Sequence, residues 1–148
     1  MQLILWRHCD ACPGDPDSAR ELTALGRQQA QRMAQWLSPR LPGDCRIVVS
    51  PALRTQQTAA ALARAFETSP DMAPGASAHA LLAVAGWPAS TRPVMLVGHQ
   101  PTLGALAALL LARAERGWHV RKGSVWWLAN RDGGTSAAVK AVMSPDLV

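Results

Sequence analysis

Three short apolar runs constrain this chain more than any other feature: QLILWR (2–7), RIVVS (46–50) and VMLVGH (94–99). Each is nearly free of polar interruptions, the pattern of a strand buried on both faces of a sheet. The segments between them follow a helical period instead. Thr23 can cap a helix to about Leu37, with Leu25, Ala30, Met33, Ala34, Trp36 and Leu37 on its apolar side. Ser50-Pro51 supplies a cap and a first-position proline for an Ala-rich helix to about Phe66. Pro101 opens another helix, to about Ala114. GSVWWLAN and TSAAVKAVM flank RDGG (131–134), a hairpin signal. The order predicts one α/β domain over residues 1–148. Its expected form is a three-layer α/β/α sandwich, with a mostly parallel central sheet and a C-terminal β-hairpin. Residues 67–93 are rich in Pro and Gly and suggest one helical turn near His79 to Val84.

A chain of 148 residues can bury one real core. Its net charge of +5 is almost entirely arginine, since the only lysines are Lys122 and Lys140. An arginine excess suits a nucleic-acid face, a phosphate or carboxylate site, or a coding bias. Because the arginines are scattered, an anionic substrate fits better and no nucleic-acid partner is expected. Cys9, Cys12 and Cys45 do not make a disulfide framework. The N-terminus lacks the basic region of a signal peptide. The longest apolar segment, Leu103 to Ala112, is far short of the roughly 20 residues of a membrane span. The expectation is a soluble, cytoplasmic monomer without membrane attachment.

The reactive residues fall at equivalent places on this map. His8 follows the first strand, Arg54 lies in the first turn of the helix after the second, and His99 follows the third. Ligand crevices in open α/β sheets form outside the carboxyl ends of strands. Helix N-termini there also turn free N–H groups toward anions. Two histidines and several arginines on such an edge describe a phosphoryl pocket.

Arg7-His8 with Asp10-Ala11 resembles the Arg-His-Gly signature of the histidine phosphatase superfamily, the phosphoglycerate mutase-like proteins. RELTALGRQQA (20–30) resembles the segment bearing an additional arginine in small bacterial members. SPALRTQQTA (50–59) is similar to the second-arginine motif and LVGHQPTLG (96–104) to the second-histidine motif. The motifs stand in the family's order over most of the first 104 residues. Short length and the Arg20 motif point to the SixA-type phosphohistidine phosphatases, proteins of signal transduction.

The resemblance implies that His8 is the nucleophile and forms a phosphohistidine that water cleaves. Arg7, Arg54 and His99 would hold the phosphoryl oxygens, Arg20 would add to the pocket, and neither cofactor nor metal is implied. Planar guanidinium forks suit equatorial phosphoryl oxygens. Nearby positive charge keeps a histidine neutral and nucleophilic. Plain roles compete: a surface ion pair for Arg7, a structural histidine at His8, an exposed helix residue at Arg54, a turn residue at His99, a solvated loop residue at Arg20. His79 and His119 match no motif and read as ordinary loop residues.

Two departures bear on the chemistry. Cys9 stands where the family has glycine, and with Cys12 it makes CDAC, a possible redox pair that Pro13-Gly14 argues against. A dedicated proton donor is not evident: Asp10, Glu67, Asp71 and solvent are the candidates. An alkoxide needs such a donor to leave. Imidazole, with a pKa of about 6.5, leaves once protonated even by solvent. The expected substrate is therefore phosphohistidine in a protein, such as a phosphotransfer domain. The alternatives are a small-molecule phosphomonoesterase and a degenerate member that only binds phosphate groups.

Overall fold

The structure, a computed structural model, describes residues 1–130 and 132–148, so the hairpin signal lies outside the described residues at Arg131. The described strands form one sheet: β1 (Gln2–Arg7), β2 (Arg46–Val49), β3 (Glu67–Thr68), β4 (Val94–Gly98), β5 (Val125–Asn130) and β6 (Ala137–Met143). Their spatial order is β3-β2-β4-β1-β5-β6. The first four run parallel, and β5 and β6 add antiparallel. Helices α1 (Ala24–Leu37), α2 (Leu53–Ala60), α3 (Ala78–Ala85) and α4 (Thr102–Ala112) cover the two faces.

The period of two along β1 shows why its sequence is apolar throughout. Leu3 and Leu5 pack with Leu81 of α3 and with Leu103 and Leu106 of α4. Ile4 and Trp6 point the other way, onto Met33 and Leu37 of α1 and Ala59 of α2. Both faces are dry, so neither tolerates a polar residue. Burying each such side chain contributes about 1.5–3 kcal/mol. The α/β sandwich with a mostly parallel sheet is as expected.

Several boundaries differ from the expectation. Thr23 does cap α1, accepting from the Gly26 N–H at 2.9 Å. Leu25, however, is 55% exposed, and Gly26 takes the inward position. The first turn of α1 runs against the loop after His8: a Cβ at Gly26 would lie 1.9 Å from the Asp10 carbonyl oxygen. Only glycine fits there. Ser50 does not cap α2, whose N-cap is Ala52; its hydroxyl faces His99 instead. That helix stops at Ala60 rather than Phe66, because Ala63 turns left-handed at φ 51° and the chain returns to lay β3 beside β2. Within residues 67–93 the full helix α3 forms, and His79 lies in its first turn, paired with Glu115 at 3.3 Å. His119 is exposed between α4 and β5. Trp127 is buried, while Trp126 is half-covered by Trp118. No described helix is long and apolar enough to cross a membrane.

Candidate active site

β1 and β4 are parallel neighbours with Arg7 opposite Gly98, so the next residues, His8 and His99, leave the sheet side by side. Their ring centroids are 5.3 Å apart. Main-chain bonds hold this corner: the His8 N–H donates to the Gly98 carbonyl at 3.1 Å and the Gly123 N–H to the His8 carbonyl at 3.0 Å. Trp6 Nε1 donates to the Gly123 carbonyl at 2.9 Å, tying the 118–124 loop to the buried strand.

The His8 ring has a defined tautomer. Its Nδ1 lies 2.7 Å from the Cys9 carbonyl oxygen, which can only accept. Nδ1 therefore carries the proton and Nε2 keeps the lone pair. Burial pushes the His8 pKa down to about 4, opposed by the Cys9 hydrogen bond and aided by the charges of Arg54, Arg7 and Lys122. For His99 burial leads again, with Arg54 next, and the value falls to about 3. Both rings are neutral near pH 7, and His8 offers a free nucleophilic nitrogen.

The arginines converge on the same corner. Arg7 is half-buried and donates from one terminal nitrogen to the Val120 carbonyl at 2.8 Å. Arg54 is 4% exposed and reaches the edge from the first turn of α2. It donates to the Asp17 carbonyl at 3.0 Å and to the Asp17 carboxylate at 3.1 Å. Arg20 donates to the other Asp17 carboxylate oxygen at 3.1 Å and, through Nε, to the Cys12 carbonyl at 2.8 Å. Asp17 thus joins Arg20 to Arg54, and these two guanidiniums, Arg20 first, hold its carboxyl below the usual range. All five residues expected at the site come together.

Three buried side-chain nitrogens among the described residues lack any hydrogen-bond partner: Arg7 Nε, Arg54 Nε and His99 Nδ1. Native interiors pair nearly all such groups. That all three belong to this corner marks it as a socket for an anion that brings its own acceptors. No His, Cys, Asp and Glu group suited to a metal ion occurs among the described residues. Cavities of about 120 to 700 Å³ open on the described surface, and Arg20 lines one of about 280 Å³ with Cys12 and Glu21. Another is an apolar cleft of about 360 Å³ lined by Leu82, Trp87, Leu109 and Arg113, near the β5–β6 turn and so at the opposite end of the strands.

The departures at the nucleophile have physical explanations. Cys9 is fully buried with Ala11, Leu22 and Ala30, and its backbone is not left-handed. Room for its sulfur comes from Gly123, where a Cβ would lie 3.3 Å from Cys9 Sγ. Burial raises the thiol to about 12, so Cys9 is a packing group rather than a thiolate. The Asp10 carboxylate is engaged by Lys122 at 2.8 Å and by the Thr23 hydroxyl at 2.8 Å. Lys122, then Thr23, lowers its pKa, which leaves it ionised and unfit to donate a proton. Glu67 is paired with Arg46 at the β3 edge, and Asp71 lies in a polar groove beside them.

Sequence reasoning missed Asp17, Ser50, Thr58 and Lys122. Thr58 accepts from the Cys9 N–H at 3.1 Å and donates to the Arg54 carbonyl at 2.8 Å, linking nucleophile loop and α2. Ser50 and Thr58 lie inside the SPALRTQQTA motif and could have been found there. Asp17 precedes Arg20 by three residues, a weaker signal. Nothing local marks Lys122, which arrives from a distant loop.

An open α/β sheet with a nucleophilic histidine and an arginine-lined socket at adjacent strand ends defines a phosphoryl-handling protein. Comparison with known proteins agrees. Residues 3–76 match the model of the histidine phosphatase superfamily (branch 1). Phosphohistidine phosphatase SixA of Escherichia coli is 31% identical over 121 residues, 74% of each chain. A SixA structure complexed with tungstate superposes with a TM-score of 0.81, at 26% identity and 99% coverage of both chains. A protein of Nakamurella multipartitia assigned to the SixA phosphohistidine phosphatases gives a TM-score of 0.79, at 30% identity over 97% of this chain and 95% of its own. The chain belongs to the histidine phosphatase superfamily, whose chemistry is phosphoryl transfer through a phosphohistidine.

Proposed function

We propose that this protein is a metal-independent phosphatase that removes the phosphoryl group from phosphohistidine in another protein, with His8 as nucleophile. The observation that carries the reading is the set of buried, partnerless nitrogens on Arg7, Arg54 and His99 around a neutral His8. His8 Nε2 attacks phosphorus, the P–N bond to the substrate imidazole breaks, and that imidazole leaves after protonation on its other nitrogen. Water then attacks the phosphorylated His8, releasing inorganic phosphate and restoring the free ring. Arg7, Arg54, His99 and Arg20 hold the charge that develops on the equatorial oxygens.

The commitments of Asp10 and Glu67 support a P–N substrate. Asp10 is ionised and committed to Lys122 and Thr23, while Glu67 is committed to Arg46. A basic alkoxide leaving group would find no proton donor among these carboxyls, whereas imidazole protonates from solvent. The relatives named as phosphohistidine phosphatases, and the tungstate bound to one of them, support the same reading, since tungstate is a tetrahedral oxyanion. The proposed partner is a phosphohistidine-bearing protein, such as a phosphotransfer domain in signal transduction, acted on by a cytoplasmic monomer.

The test compares phosphate release from a phosphohistidine-bearing protein and from p-nitrophenyl phosphate, with His8→Ala as control. Preference for the P–N substrate, abolished in the variant, is the expected result. Preference for the ester would make this a phosphomonoesterase. Binding without release from either would make it a phosphate-binding relative.

A further inference from the structure

The two histidines are held by groups of different kinds. His8 Nδ1 meets a backbone carbonyl, which can only accept, whereas His99 Nε2 meets the Ser50 hydroxyl at 2.7 Å. A hydroxyl can donate or accept, so distance alone leaves the His99 tautomer open. The surroundings of Ser50 decide the direction. Ser50 is fully buried, and its Oγ already accepts from the Ala52 N–H at 3.3 Å. The Thr55 hydroxyl and the Gln56 amide donate to the Ser50 carbonyl at 2.9 and 2.7 Å, fixing the residue at the head of α2. Among the described hydrogen bonds, His99 Nε2 is the one acceptor available to the Ser50 hydroxyl proton. Were Nε2 protonated instead, Oγ would accept from both Nε2 and Ala52, and the buried hydroxyl proton of Ser50 would be left without an acceptor.

We infer that Ser50 donates to His99 Nε2 and thereby fixes His99 as the Nδ1–H tautomer, making Ser50 a positioning residue for phosphoryl transfer. The proposal rests on reading this corner as a phosphoryl pocket. His99 Nδ1 is buried and partnerless, as are Arg7 Nε and Arg54 Nε. With Nδ1 protonated, all three are donors that a phosphoryl oxygen can satisfy. In the other tautomer a nitrogen lone pair would face that oxygen, and the ring would repel the group it helps to hold. An imidazole kept neutral by burial cannot present protons at both nitrogens, so a donor role for Nδ1 requires a partner that takes the lone pair of Nε2. Ser50 is that partner.

The test is a long-range proton–nitrogen correlation spectrum of the folded protein at neutral pH, with Ser50→Ala and Ser50→Thr alongside phosphate-release kinetics. In the natural protein, His99 should show a protonated, pyrrole-type Nδ1 and a pyridine-type Nε2. Ser50→Ala should move the ring toward the Nε2–H form and lower kcat about tenfold, the rate equivalent of one neutral hydrogen bond. Ser50→Thr, which keeps the hydroxyl, should retain the original nitrogen pattern and most of kcat. A pyridine-type Nδ1 on His99 in the natural protein would overturn the inference. So would a Ser50→Ala protein with an unchanged nitrogen pattern or an unchanged kcat. The spectrum needs no substrate: a protein inert toward phosphohistidine yet showing the stated tautomer would sink the proposed function and leave the assignment of Ser50 standing.

Discussion

The reacting corner has two walls built on different principles. On one, Arg7, His8 and His99 leave the ends of β1 and β4, and main-chain groups hold the first two: Gly98 and Cys9 for His8, Val120 for Arg7. On the other, Arg54 and Arg20 meet through the carboxylate of Asp17, a side chain 56% exposed on a loop rich in Pro and Gly. The strand-end wall has little freedom, since moving His8 means breaking sheet-edge hydrogen bonds. The loop wall is joined by a single exposed carboxylate, the group an incoming anion would have to displace. Chemistry that needs in-line geometry belongs on the first, and charge that must admit and release a ligand belongs on the second.

The contrast can be broken most severely at His8. His8→Ala should lower phosphate release by about four orders of magnitude or more, since it removes the proposed nucleophile. Retained tungstate binding in that variant, read by calorimetry, would show that the socket survives. Arg54→Ala should cost about a hundredfold to a thousandfold in kcat, the scale of losing a charge-stabilising donor. Arg20→Ala, whose side chain is 26% exposed, should cost about tenfold, because solvent screens a part-exposed cation. Equal losses for the two arginines would erase the distinction between a buried and a peripheral member of the loop wall.

Acid should act on the strand-end wall. His8 is pushed down to about 4 and His99 to about 3, chiefly by burial. The unfolded chain therefore binds more protons between the ordinary value of about 6.5 and these lowered values. Stability tied to the two rings is present above about pH 6.5 and is lost as pH falls through their folded values. The nucleophile stays neutral down to about pH 5, and below about pH 4 its free fraction falls about tenfold per unit. Histidine NMR titration with thermal midpoints checks both; a His8 ring that titrates near its ordinary value would contradict this.

Smaller effects sharpen the loop wall. Asp17→Ala frees N–H groups of Arg54 and Arg20 and removes a negative charge from the socket's rim. Inorganic phosphate should then inhibit several-fold more tightly, and unchanged or weaker inhibition would mean that Asp17 aligns the arginines rather than competing for them. Asp10→Asn should be the mildest. Its ion pair with Lys122 is part-exposed and contributes about 0.5–1 kcal/mol, visible as a small shift in urea denaturation with kcat nearly unchanged. A large fall in kcat there would return Asp10 to the list of proton donors.

Legibility in the sequence followed the kind of information involved. β1, β2 and β4 were readable because burial on both faces writes an uninterrupted apolar run. Thr23 was readable as a cap because capping is a contact three residues long. His8, Arg54 and His99 were placed together because the element order sets them at strand and helix ends, where an α/β sheet gathers ligands, whereas Arg7 and Arg20 were named through the family resemblance. β3 was not, because two residues on a sheet edge carry no pattern. Ser50 has the local pattern of a cap, a hydroxyl before proline. Its actual partner, His99, is 49 residues away.

The order of elements, the strand-end histidines and the arginines on which an anion would close were determined by the sequence alone, through local period, turn chemistry and residue type. The tertiary structure alone decided which proton sits on which ring nitrogen, which carboxylate is committed elsewhere and which donors are left waiting. Lys122 reaches Asp10 across 112 positions. Asp17 reaches Arg54 across 37, and Ser50 reaches His99 across 49. Such contacts obey no local pattern. They exist because parallel strands set distant chain segments edge to edge, and burial there obliges every polar group to find a partner or to await one.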